Sequence, residues 1–294
     1  MNGFLILNKD TQMTSFSASR IAGRLTGSKK AGHIGTLDPM AGGVLPVALG
    51  AATRFIDFIP EHEKEYLTVM RFGESYDTLD ITGNLLESTD FIPSPGDVKT
   101  VTAGFLGKSL QTPPMYSAIK KNGVPLYRLA RQGIETTRSP REINISKIEV
   151  LSMDGRDATL LVRCSKGTYI RSLISDIGEK LSCPAAMAAL TRTESNGFTL
   201  DDSHTLDELR QSDDASPFVI PTDAPFCAFD AITVTDAQAK RFSNGGALDI
   251  NRLGSTIVAG KYRIYSPGGS FLGLGKYESG EKELKILRLY TGTD

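Results

Sequence analysis

Between Ala31 and Gly50 the only charged side chain is Asp38, and Gly32, Gly35, Gly42, Gly43, Pro39 and Pro46 surround it. A lone carboxylate in such a setting can act as a nucleophile or as a base, provided that it stays ionised. Glycine costs backbone entropy and proline lacks a donor, so the run predicts a structured loop rather than a helix or a central strand. Its backbone can approach another molecule closely. Pro39 biases Asp38 away from the helical region and so sets the angle at which the carboxylate projects. Taken alone, Asp-Pro is also an ordinary way to start a turn.

Further strings carry polar and aromatic groups at defined spacing. Lys64-Glu65-Tyr66 opens an alternating strand, and Asp77-Thr78-Leu79-Asp80-Ile81-Thr82-Gly83 reads as a polar turn. Gln111 to Lys120 holds two prolines, which forbid regular structure and leave Tyr116 and Lys120 available for contact. Cys164-Ser-Lys-Gly-Thr-Tyr169-Ile-Arg171 and Leu190-Thr-Arg192 follow, with Gly197-Phe198 soon after.

Together with Gly35-Thr-Leu-Asp38-Pro39 and Leu45-Pro46, these strings closely resemble the TruB family of tRNA pseudouridine synthases. The resemblance spans most of the first 200 residues and, more faintly, the tail. It implies an α+β fold with a mixed, mainly antiparallel sheet flanked by helices, followed by a small β-rich module of the PUA type. The corresponding division is 1–228 and 229–294, with a mobile RNA-gripping arm at about 115–147 that includes Arg131. The implied catalytic residues are Asp38, Tyr66 and Arg171, with Arg171 the ion-pair partner of the acid. His33 would fill the space left by the everted base, and Leu190 would wall the pocket. Tyr169, Asp80, Tyr116, Lys120, Arg131 and Arg192 are further implied contacts to RNA. The implied substrate is the uridine at position 55 in the T loop of tRNA. One departure stands at Lys9-Asp10-Thr11-Gln12, where the family has Lys-Pro-x-Gly.

Pseudouridine formation breaks the bond from N1 of uracil to ribose, turns the base and rejoins it through C5. No net oxidation occurs, so neither cofactor nor metal is expected. The uridine must first be flipped out of folded RNA, which costs a few kcal/mol. An acid covered by RNA is dry, and dryness raises its pKa. A guanidinium such as Arg171 cannot lose its proton there and would keep Asp38 charged and aimed. Tyr66 can stack on uracil and move a proton. Two rival readings are a non-catalytic RNA-binding module, which would not need Asp38, and a glycosidase-like hydrolase, which would need a second placed carboxylate.

Composition bounds these readings. The chain has 294 residues, 33 bases and 34 acids, long enough for two domains with a buried core. Near-zero net charge hides an asymmetry: residues 115–147 carry seven bases against two acids, whereas residues 201–230 carry eight acids and only Arg210. A one-faced RNA binder needs such a basic lobe. The N-terminal apolar run is too short for a signal peptide, and no stretch is long enough to span a bilayer. Three scattered cysteines form no disulfide framework, which fits a reducing cytoplasm. The histidines lack metal-ligand spacing. A monomer with no obligate protein partner and no membrane association is the corresponding expectation. Gly23 to Lys30 is one residue short of a phosphate-binding loop and lacks its Lys-Ser/Thr ending.

The elements that must position these groups follow from periodicity. Phe4 to Leu7 predicts a strand. Thr14-Ser15-Phe16-Ser17 supplies N-cap candidates for a helix with Phe16, Ile21 and Leu25 inward. Lys64 to Phe72 predicts a strand with Tyr66, Thr68, Met70 and Phe72 on one face. Val98, Val101 and Phe105 keep helical spacing, and Val124 to Gly133 predicts a short helix stopped by Gly133. Two strands over 143–153 and 158–164 flank the turn Asp154-Gly155-Arg156-Asp157, before an amphipathic helix through Leu173, Ile174, Ile177 and Leu181. In the tail, a helix over 236–243 precedes short strands, the last over 284–290.

Overall fold

The computed structural model describes residues 1–254 and 256–292. In chain order the first elements are β1 (Gly3–Lys9), α1 (Ser15–Leu25), β2 (Ala31–His33), β3 (Gly42–Leu49) and β4 (Lys64–Phe72). A small hairpin, β5 (Glu74–Tyr76) and β6 (Leu85–Ser88), leads to α2 (Pro95–Ala103) and β7 (Gly107–Gln111). The arm holds β8 (Lys120–Lys121), β9 (Val124–Pro125) and α3 (Leu126–Ala130). Then come β10 (Arg141–Asp154), β11 (Asp157–Cys164), α4 (Ile170–Lys180), β12 (Ala185–Ser195), β13 (Phe198–Thr199), α5 (Leu206–Gln211) and β14 (Val219–Ile220). The tail comprises β15 (Asp230–Thr233), α6 (Asp236–Ser243), β16 (Leu248–Asp249), β17 (Gly260–Tyr265), β18 (Phe271–Tyr277) and β19 (Glu283–Leu289).

The main sheet runs β14-β1-β3-β12-β4-β11-β10-β7, with β2 beside β3 and β13 beside β12. Every pairing in it is antiparallel except β3–β12. The mixed, mainly antiparallel sheet implied by the resemblance is therefore present. Tyr66, Thr68, Met70 and Phe72 are all buried on one face of β4, as the two-residue period requires. Cys164 and Cys183 are buried within the main core. Among the described residues no helix is long and apolar enough to cross a membrane.

Two local expectations are corrected. The glycine- and proline-rich run is a loop only from Ile34 to Ala41; it starts as the short strand β2, and from Gly42 it becomes β3, a central strand buried along its whole length. Glycine is needed there for a packing reason. A Cβ on Gly43 would lie 2.2 Å from the carbonyl oxygen of Arg192, and its φ is +99°, so only glycine lets β12 come alongside. The second correction concerns α1, whose Phe16 is 62% exposed with the Arg20 guanidinium 5.8 Å from its ring centre. Its inward face is built from Ser15, Ala18, Ser19 and Ala22. Small side chains bring this helix close to the sheet, while Ile21 and Leu25 pack at its margin.

The tail forms a separate five-stranded sheet, β15-β17-β18-β19-β16, around its own core of Ile232, Val234, Phe242, Tyr262, Ile264 and Leu284. It rests on the first part of the chain through aromatic rings. Phe55 is fully buried, with the rings of Phe226, Phe271 and Tyr290 centred 5.7–6.3 Å away.

Candidate active site

The segment before β3 is fastened from below. Ser15, at the start of α1, donates through Oγ to the Leu37 carbonyl (2.9 Å) and accepts from the Leu37 N–H (2.8 Å). The next residue is Asp38, whose carbonyl accepts from Ala41 N–H at 3.0 Å and closes a tight turn. Its carboxylate is thus offered from a fixed backbone, with 36% of the side chain still exposed.

Arg171 comes from the first turn of α4 and is almost wholly buried. Its Nε lies 2.9 Å from Asp38 Oδ2. The other two nitrogens donate to the carbonyls of Thr78 and Tyr116, both at 2.8 Å. One guanidinium therefore ties the Asp38 loop to the turn after β5 and to the proline-rich segment before the arm. The planar fork suits this, since three donors leave in fixed directions.

Burial raises the Asp38 carboxyl above its ordinary value; Arg171 pulls it down, while Asp80 adds to the rise. The guanidinium thus opposes the effect of burial without cancelling it. Tyr66 is buried, which pushes its hydroxyl up, and the Arg192 guanidinium beside it pulls the other way. Leu190, on β12, is the cross-strand partner of Thr68, two residues along β4 from Tyr66. His33 ends β2 and is half-buried; burial, and then Arg192, lower its pKa and favour an uncharged ring. Tyr169 caps α4, held by Gln111 through a 2.8 Å bond to its N–H and a 3.0 Å bond to its carbonyl. Tyr116 is half-buried, and Lys120 and Arg131 are exposed on the arm, Arg131 with its guanidinium 5.7 Å from the Tyr127 ring centre.

Asp80 and Arg192 stand apart from the expected RNA contacts. Asp80 is 4% exposed and turned inward: one carboxylate oxygen accepts from the Thr78 hydroxyl, the Thr82 N–H and the Thr82 hydroxyl, and the other lies 3.5 Å from Arg171. It shapes the turn and backs Arg171, and it offers no face to a nucleic acid. Arg192 is 0% exposed, its Nε donating to the Val44 carbonyl at 2.8 Å. Directly opposite Tyr66 on the neighbouring strand, it is a buried charge beneath the pocket.

Sequence reasoning passed over Lys9, Ser15 and Gln111. Lys9 is 1% exposed, donates to the Asp10 and Met13 carbonyls at 2.8 Å, and lies within electrostatic reach of Asp38. In the turn after it Gln12 takes the left-handed conformation that glycine favours, at φ 65°. The family-like Lys9 string was the available signal for the first; nothing local marked Ser15 or Gln111.

Comparisons with known proteins bear on the family of the chain. The profile described as TruB family pseudouridylate synthase (N terminal domain) matches residues 23–170, and that of the tRNA pseudouridylate synthase B C-terminal domain matches residues 171–225. Similar curated proteins include tRNA pseudouridine synthase B of Clostridium acetobutylicum, 41% identical over 99% of this chain and 100% of its own length. The protein of the same name from Clostridium perfringens is 43% identical over 98% and 99%. Among solved structures, a chain of a Cbf5-Nop10-Gar1 complex aligns with TM-score 0.73 at 25% identity, covering 98% of this chain and 85% of that one. On full-length similarity, and with its carboxylate–guanidinium pair in place, the chain belongs to the TruB family of pseudouridine synthases.

Proposed function

We propose that this isomerase converts the uridine at position 55 in the T loop of tRNA to pseudouridine, with Asp38 as the reacting carboxylate. The observation that carries the reading is the 2.9 Å pair between a partly open Asp38 and a buried, triply bonded Arg171. The everted uracil stacks on Tyr66 against Leu190, and His33 fills the gap it leaves in the loop. The N1–C1′ bond breaks, C5–C1′ forms, C5 gives up its proton and N1 gains one, so the product is an isomer and no electron acceptor is used. Tyr66 is positioned to handle the proton. Tyr116, Tyr169, Lys120 and Arg131 supply further contacts along the basic arm at 115–147. Residues 1–228 form the catalytic unit, 229–294 an accessory RNA-binding module, and the protein works as a cytoplasmic monomer without cofactor or obligate protein partner.

The test is incubation of the protein with unmodified tRNA transcript, followed by labelling specific for pseudouridine, because substrate and product have equal mass. Wild type is expected to mark a single T-loop uridine. Asp38→Asn is expected to lose the reaction while tRNA affinity stays within about threefold. Released uracil would instead identify a hydrolase, and an active Asp38→Asn variant would remove the carboxylate from the chemistry.

A further inference from the structure

Among the described residues the buried Arg192 belongs to no ion pair. Its two terminal nitrogens have no carboxylate or carbonyl acceptor among those residues, and the Tyr66 hydroxyl is the polar group beside them. A second cation shares its space: a Cβ placed on Gly35 would lie 2.9 Å from Lys64 Nζ and 3.3 Å from an Arg192 terminal nitrogen. Lys64 belongs to no ion pair among the described residues, whereas the neighbouring Lys166 is paired with Glu61. Burial and Arg192 lower the Lys64 amine to about 8. Two like charges held together, one of them fully buried, are unfavourable unless an anion joins them. The chain, with more acids than bases, had acids to place there.

The surroundings point to an anion arriving from outside. Gly35 and Lys64 line an open groove of about 260 Å³ with His62, Asn196, the Lys166–Glu61 pair and Asp57, and Arg192 lies close behind Gly35. Lys64 and Tyr66 share one face of β4 a two-residue step apart, about 6.6 Å, and Arg192 is the cross-strand partner of Tyr66. A nucleotide whose base lies on Tyr66 carries its phosphates one ribose away from that base. The glycine at position 35, at φ +70°, keeps this approach free of a side chain.

We propose that Lys64, backed by the buried Arg192, is the seat for a backbone phosphodiester of the substrate RNA next to the everted uridine. The inference rests on the functional reading above and adds a specific anion contact to it. Lys64 makes the direct contact. Arg192 keeps the floor of the groove positive and is not itself reached by RNA. The repulsion between the two cations in the free protein is then a cost to stability that RNA binding relieves.

The experiment measures affinity of wild type and variants for a T stem-loop RNA across a salt series, together with thermal melting. Lys64→Gln is expected to weaken binding about 5–10-fold near 0.1 M salt and to lower the slope of log K against log salt by about 0.7–0.9, one phosphate contact. Lys64→Arg restores both. Because Lys64→Gln removes a repulsion, it melts no lower than wild type, which a merely structural lysine would not do. A series of RNAs with one methylphosphonate at each phosphate flanking the target uridine locates the contact: wild type loses affinity at one position, and Lys64→Gln is indifferent to that substitution. An unchanged salt slope, a lowered melting temperature in Lys64→Gln, or a wild type indifferent to every flanking methylphosphonate overturns the proposal. Failure of wild type to make pseudouridine would overturn the functional reading separately, since the slope and the methylphosphonate series are read from binding alone.

Discussion

Arg171→Lys keeps the charge at the centre of the site and removes the fork. In the native protein three nitrogens leave one plane toward Asp38, the Thr78 carbonyl and the Tyr116 carbonyl, at 2.9, 2.8 and 2.8 Å. A lysine has a single nitrogen on a flexible stem and can hold one of these partners at full geometry. Two charge-assisted bonds are therefore lost, each about 1.5–3 kcal/mol. Water reaching the exposed side of Asp38 recovers part of this, leaving a net loss of about 2–4 kcal/mol. For a domain of about 200 residues that corresponds to a melting point lower by roughly 5–15 °C.

The catalytic loss is expected to be larger than the loss of stability alone implies. With its guide gone, Asp38 moves relative to Tyr66, and a displacement of about 1 Å can cost about 100-fold in rate. Single-turnover release of tritium from RNA labelled at uracil C5 measures the chemical step, because that hydrogen leaves as C5 bonds to ribose. Arg171→Lys should be slower by about 10²–10³ at saturating enzyme, well below its melting point. Asp38→Asn provides the contrast: Arg171 keeps both carbonyl bonds, so stability should hold within about 1 kcal/mol while the reaction disappears. A lysine variant with wild-type rate and wild-type melting point would refute the idea that the fork, rather than the charge, builds this site.

The acid side of the pH–rate profile should fall with the protonation of Asp38, at a pH above the ordinary carboxylate range, because burial raises its pKa. The same shift gives Asp38 a stabilising effect that is fully present below its unfolded pKa and is lost as pH rises through the folded value; comparing the pH dependence of melting in wild type and Asp38→Asn tests the sign. Gly43→Ala should melt far lower or fail to fold, since its Cβ would meet the Arg192 carbonyl at 2.2 Å, and a soluble variant with unchanged melting would remove this reason for the glycine. Phe55→Ala empties the aromatic joint with the tail, at a cost of about 3–5 kcal/mol, and should expose the chain between Phe226 and Ala231 to proteolysis; an unaltered cleavage pattern would show that the joint does not hold the two parts together.

What could be read in the sequence was local order. Alternation over Lys64–Phe72 gave the strand and its buried face, because a two-residue period survives any tertiary setting. The Asn244-Gly245-Gly246 string bounded the end of α6 for the same kind of reason, whereas its N-cap Thr235 emerges only in the structure. The errors arose where a neighbour decides the outcome. Gly42, Gly43 and Pro46 disfavour a strand individually, yet β1 and β12 enclose them as one. Phe16 was assigned inward by size, whereas close helix–sheet approach required the small residues Ser15, Ala18 and Ala22 instead.

The candidate site sorts in the same way. Asp38 is legible because its whole segment is distinctive, and Arg171 because its string is. The depth of Arg192 was not, since nothing in Leu190-Thr-Arg192 states that its partner strand will lie over it. An arginine in a strand reads as a surface cation, and surface cations near a basic lobe read as RNA contacts. Once Arg192 is known to face Tyr66 across a sheet, with Lys64 one step away and neither cation in an ion pair among the described residues, its burial takes on a different meaning. A carboxylate in that place would neutralise the pair and stabilise the free protein. It would also fill the space that an incoming phosphate needs, so the missing acid points to the groove as a place that RNA, rather than the chain itself, completes.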